Sequence, residues 1–180
     1  MSTDDDALAA FKETRAVLSW VLTQLVTFKP PFEQLGDYVG PSKFLGIQRR
    51  ARMMKVGEVW HLGVFLMGTD GTLFRAGDTV RAEDALHTEH NSAYKAERRE
   101  LAHAAFRAGY KPGAVVNFGV SRINLDVDSL NTPTGPLFVR GRNAFVRWRS
   151  GAADDEAVPF KDYMAERLEL LLNPPAGATD

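Results

Sequence analysis

The chain of 180 residues contains no cysteine. That absence removes thiol nucleophiles, disulfides and thiolate metal sites together, and leaves histidines and carboxylates as candidate metal ligands. Charge of one sign is also lacking. With 22 Lys and Arg against 23 Asp and Glu, the formal net charge is -1. Such a chain does not attract nucleic acid through its overall field, which leaves only a local patch for that purpose. Long apolar runs are missing as well. The run AVLSWVLTQLVTF, Ala16 to Phe28, is interrupted by Ser19, Thr23, Gln24 and Thr27. It is too short for a ~30 Å hydrocarbon core, which takes about 20 residues, so it predicts a buried helix and no membrane partner. The acidic start MSTDDD stands where a secretory leader would be basic, and predicts a cytoplasmic protein. Neither GxSxG, HExxH, GxGxxG nor GxxxxGK occurs. The cofactor, if any, stays open.

What the chain does have is patterning, clearest from Trp60 to Val80. Two apolar runs flank Asp70-Gly71, a pair that favours a tight hairpin turn because such a turn needs positive φ. With those two residues as the loop, Met67 faces Phe74 and Phe65 faces Ala76, while Leu62, Val64, Leu66 and Leu73 take the other side. A type I turn with a glycine bulge would shift this pairing by one. Both faces are apolar, so the hairpin is expected to be central and covered on both sides.

Around it, Leu8, Phe11, Leu18, Leu22 and Leu25 fall on one stripe at helical spacing, and Pro30-Pro31 ends that helix. Phe32 to Ser42, with Gly36, Gly40 and Pro41, reads as a loop. Phe44 to Met54 reads as a strand that turns near Val56-Gly57 into the central hairpin, and Arg81 to Asn91 as loop. A second helix runs from Ser92 or Asn91 to about Ala108. Strands follow over Ala114 to Val127, then a turn-rich break from Asp128 to Pro136. Leu137 to Arg149 forms a second hairpin about Arg142-Asn143, and Pro159 opens a third helix striped by Phe160, Met164, Leu168 and Leu171. The expectation is a single α+β domain over 1–180 with disordered tails at 1–4 and 176–180. Its antiparallel sheet is built from two hairpin or meander units, about six strands, packed against three helices.

Three stretches could carry chemistry. His87 and His90, three apart in a polar turn, could share a divalent ion, with Glu97, Glu100 or His103 as a third ligand for a small metal-assisted hydrolase. In the second hairpin, Phe138, Arg140, Phe145, Arg147 and Arg149 share one face. Rings for stacking and guanidinium groups for phosphates are what single-strand nucleic-acid recognition uses, with Arg49, Arg50 and Arg52 as a further extension. The same arginines could instead pair with Asp154, Asp155 and Glu156. Last, the half of the first helix from Ala16 onward is apolar nearly all round, more than one sheet face can cover. Together these readings favour a non-catalytic binding or interaction module, acting as a homodimer through a sheet face or a pocket between sheet and helices, with its small-molecule or protein partner unidentified.

Overall fold

The computed structural model describes residues 3–44, 46–84, 93–131, 135–149, 151–175 and 177. In chain order the elements are α1 (Thr3–Phe28), β1 (Glu33–Val39), β2 (Ser42–Phe44), β3 (Ile47–Arg49), β4 (Arg52–Leu62), β5 (Phe65–Gly68), β6 (Leu73–Arg75) and β7 (Asp78–Arg81). Then come α2 (Ala93–Arg107), β8 (Val115–Phe118), β9 (Ser121–Arg122), α3 (Val127–Asn131), β10 (Leu137–Arg140) and β11 (Asn143–Val146). A 3-10 turn at Asp154–Glu156, β12 (Val158–Pro159) and α4 (Phe160–Leu172) close the fold.

The class is α+β, with two corrections to the expected architecture. The largest sheet has seven strands, ordered β7-β8-β1-β4-β5-β6-β9, and β1 runs parallel to β8. The helices among the described residues number four. The second hairpin belongs to a separate sheet, β10-β11-β12, and a small third sheet pairs β2 with β3.

The parallel strand was hidden by Gly36, which reads as loop punctuation. Gly36 lies inside β1 because neighbours occupy the space over it. A Cβ there would sit 2.9 Å from the Met53 thioether and 3.1 Å from the Tyr110 hydroxyl. The turn expected near Val56-Gly57 is instead a bulge in β4. Leu35 pairs with Gly57 and Gly36 with Lys55, leaving Val56 as the extra residue. The fourth helix, α3, starts where a strand was expected to end. Asp126 caps it, its carboxylate accepting the Ser129 amide at 2.7 Å and the Ser129 hydroxyl at 2.8 Å.

The central hairpin adopts the bulged alternative: Phe65 pairs with Arg75, Leu66 with Phe74 and Met67 with Leu73. Gly71, at φ 80°, donates to the Gly68 carbonyl, and Gly68 donates to Thr72, which is a type I turn followed by a glycine bulge. Phe65, Leu66 and Met67 are fully buried, so both faces are covered as the apolar pattern requires. Asp70 holds the turn by accepting the Thr72 amide at 2.9 Å and the Thr72 hydroxyl at 2.8 Å. These bonds, the backbone one foremost, keep its pKa below the ordinary 3.8. A depressed folded-state pKa adds stability above the ordinary value and loses it as pH falls through the folded one. Urea unfolding of Asp70→Asn should therefore lie below the wild type at about pH 6, with the gap narrowing as pH drops under about 4. A pH-independent gap would refute this role of the charge.

The described chain divides into two compact units. One comprises Met1–Pro31, Trp60–Arg75 and Ser121–Asp180. Its core joins Val21 and Leu25 of α1 to Phe65, Met67 and Leu73 of the hairpin, Val146 of β11, and Phe160 and Met164 of α4. The α1 helix stops where Lys29 turns left-handed, at φ 49°, ahead of Pro30, whose carbonyl accepts the Trp60 indole at 3.3 Å. The other unit comprises Phe32–Val59 and Ala76–Val120. There Ala102 and Ala105 of α2 allow a close approach to Val80, Val116 and Phe118 on the strands, and Tyr110 donates to the Leu35 carbonyl at 2.9 Å.

Candidate functional site

The second hairpin divides its faces as the sequence predicts but turns elsewhere. Phe138 pairs with Phe145 and Arg140 with Asn143, so the loop is Gly141-Arg142. Gly141 takes the positive φ, 61°, as the first loop position of a type II′ turn demands; Asn143 is an ordinary strand residue. The two rings stack at 5.9 Å with 30° between planes. Arg147 lies over Phe138 at 4.0 Å, and Arg140 over Phe145 at 4.6 Å.

These groups are already occupied by the chain itself. The Arg147 guanidinium donates from Nε and Nη2 to Asp154 Oδ1, at 2.8 and 2.6 Å, and from Nη1 to the Gly135 carbonyl at 2.7 Å. Arg149 donates to Glu156 at 2.6 Å. Phe138 is only 4% exposed, beneath Arg147. A base could stack there only after Arg147 left three hydrogen bonds. The acidic run thus takes the place a phosphate would hold, and Trp148, 48% exposed beside Arg149, is the aromatic left facing solvent. Arg49, Arg50 and Arg52 belong to the other unit.

His87 and His90 lie outside the described residues. Of their suggested partners, His103 sits with Nδ1 3.5 Å from the Asp84 carboxylate and its ring stacked on Phe106. Glu97 and Glu100 face Tyr38, whose pKa is raised by burial first and by these two carboxylates second. Among the described residues, no group of three or more histidines and carboxylates is arranged to hold a metal ion.

His61, Asn117, Arg122 and Asn124 are polar residues set among apolar strand neighbours in the sequence, and any that faced inward would point to a pocket. Asn117 is buried and satisfied, donating to Glu33 at 2.7 Å and to the Gln34 carbonyl at 3.3 Å. His61 is half-buried with Nε2 2.9 Å from the Gly63 carbonyl. Both are structural. Arg122 and Asn124 are exposed and line open polar recesses.

The solvent side of α1 is different. From Ala16 to Thr27 it presents Ala16, Ser19, Trp20, Thr23, Val26 and Thr27 and carries no charge. Thr23 and Thr27 turn their hydroxyls back onto the Ser19 and Thr23 carbonyls, at 2.8 and 2.7 Å, so these donors are satisfied within the helix. Trp20 is 45% exposed and Val26 52%. No helix among the described residues is long and apolar enough to cross a membrane.

Sequence reasoning missed a recess of about 250 Å³ between α1, β11 and the start of α4. Its lining comes from three distant stretches, and no local motif marks it. No known protein family, curated protein or solved structure matches the chain.

Proposed function

We propose that the chain is a non-catalytic binding module that works as a homodimer, its subunits joined along the exposed half of α1. The observation that carries this reading is the uncharged face from Ala16 to Thr27, with Trp20 half out of the surface. A solvated helix face ordinarily carries charge, and one that does not is suited to being covered. The occupant is a second copy because the face is self-complementary in bulk. In an antiparallel pair with the dyad between Val21 and Leu22, each Trp20 lies against the partner's Thr23, and each Ala16 against the partner's Thr27. Small residues opposite the indole allow close approach, and a neutral face selects against charged partners.

This stretch is about 18 Å of helix, which is short beside the ~800 Å² per partner of standard interfaces, so a weak dimer in the micromolar range is expected. Sedimentation velocity across a concentration series checks it. Thr23→Arg and Trp20→Arg should each weaken the dimer at least about tenfold, since an isologous contact meets every new charge twice. Their circular dichroism should match the wild type. A wild-type monomer at all concentrations, or a dimer indifferent to both substitutions, would overturn the reading.

A further inference from the structure

The recess between α1, β11 and α4 lies on a different side of α1 from the uncharged face and has the composition of a small-molecule site. Its floor is apolar and buried: Val17 and Thr14 from α1, Ala144 from β11 and Phe160 from α4. Thr14 belongs with these because it is fully buried and its hydroxyl is satisfied, donating to the Ala10 carbonyl at 2.8 Å. Phe145 and Pro159 form the wall.

The rim is polar and carries both signs. Glu13 brings a carboxylate, Lys161 an ammonium group and Asn143 an amide. Among the described residues, none of these three side chains makes a hydrogen bond or ion pair. That contrasts with the second hairpin, where the arginines are already matched to acids. Pockets that recognise small molecules combine an apolar bed with a few convergent polar groups that fix orientation. Opposite charges on one rim select a ligand that carries both.

We infer that this recess binds a free α-amino acid with an apolar side chain, its ammonium group toward Glu13, its carboxylate toward Lys161 and its side chain on the Val17–Ala144–Phe160 floor. The volume suits a ligand of about a dozen heavy atoms. At the modest contribution of each atom, affinity on the order of millimolar is expected. Asn143 can donate to the carboxylate or accept from the ammonium group. The inference does not depend on the dimer.

The test titrates the full chain with L-phenylalanine to about 10 mM, followed by two-dimensional NMR. Two analogues run beside it: 3-phenylpropionate, which lacks the ammonium group, and phenethylamine, which lacks the carboxylate. L-Phenylalanine should shift the amides of Thr14, Ala144 and Phe160 and bind roughly fivefold more tightly than either analogue, the scale of one exposed charge pair. Glu13→Gln should erase its advantage over 3-phenylpropionate, and Lys161→Met its advantage over phenethylamine. Both residues are exposed, so the variants keep the fold. Absence of shifts at these amides, or an advantage that survives both substitutions, would overturn the assignment.

Discussion

Replacing Phe65 by alanine should cost about 3–5 kcal/mol of folding free energy, the range for truncating a fully buried aromatic, out of a total of roughly 5–15 kcal/mol. Phe65 has no exposed surface and meets two rings edge-on, Phe160 at 6.0 Å and 81° and Tyr163 at 5.9 Å and 85°. Each such pair adds about 0.5–1.5 kcal/mol beyond the area it buries. Phe65→Leu keeps most of the volume and loses both ring pairs, so it should cost clearly less than the alanine variant. The readout is favourable: Trp20, Trp60 and Trp148 all belong to the unit that contains Phe65. Tryptophan fluorescence during denaturant unfolding therefore reports that unit. Far-UV circular dichroism reports α2 and β1 as well, and coincident shifts in the two signals would show that both units unfold together. A loss under about 1 kcal/mol for the alanine variant would mean that Phe65 does not anchor the core as its burial implies.

How far the sequence could be read depended on whether an element declared itself locally. The α1 and α4 helices did so, because apolar residues recur at helical spacing and prolines punctuate them, at Pro30-Pro31 and at Pro159. The alternation of Leu137 to Val146 similarly gave the two faces of its hairpin, even though the turn was misplaced by one residue. What decided that turn was glycine's tolerance of positive φ at Gly141, over the weaker tolerance of Asn143. β1 could not be read because its reason is tertiary. EQLGDYV has a glycine where Met53 and Tyr110 fill the space, and its parallel partner β8 is some eighty residues away.

The candidate sites divide in the same way. The aromatic and arginine face was legible as a pattern, and so was its competitor, the acidic run at Asp154 to Glu156. Only geometry shows that Arg147 reaches Asp154 and the Gly135 carbonyl at once. The recess rimmed by Glu13, Asn143 and Lys161 had no sequence signal, since three charged or amide residues far apart along the chain are unremarkable until the fold brings them to one rim. The uncharged run of α1 was visible from the start. The stripe through Leu18 and Leu25, both buried, also gave its inner side, and Trp20, off that stripe, is half exposed.

Gly63→Ala should be among the most damaging single substitutions in the chain, and its cost should fall when Tyr163 is phenylalanine. Gly63 sits in the two-residue connection between β4 and β5 at φ 69°, where an L-residue costs about 1–2 kcal/mol. An added Cβ would land on the Tyr163 hydroxyl, with Arg167 Cδ 3.0 Å away and Tyr163 Cζ 3.1 Å away. That hydroxyl accepts the Val64 amide at 2.8 Å, so displacing it breaks a bond worth about 1 kcal/mol and disturbs the ring that packs on Phe65. Together these put Gly63→Ala near 3 kcal/mol. Tyr163→Phe alone loses the bond but removes the colliding oxygen, leaving the backbone conformation and the looser contacts as the cost of the alanine. The two substitutions should therefore be non-additive, the double variant being more stable than the sum of singles predicts by about 1–2 kcal/mol. Urea unfolding of the four proteins, followed by tryptophan fluorescence, closes the cycle. Strict additivity would show that the alanine is accommodated without moving the Tyr163 hydroxyl, and that the glycine is required for its backbone angle alone.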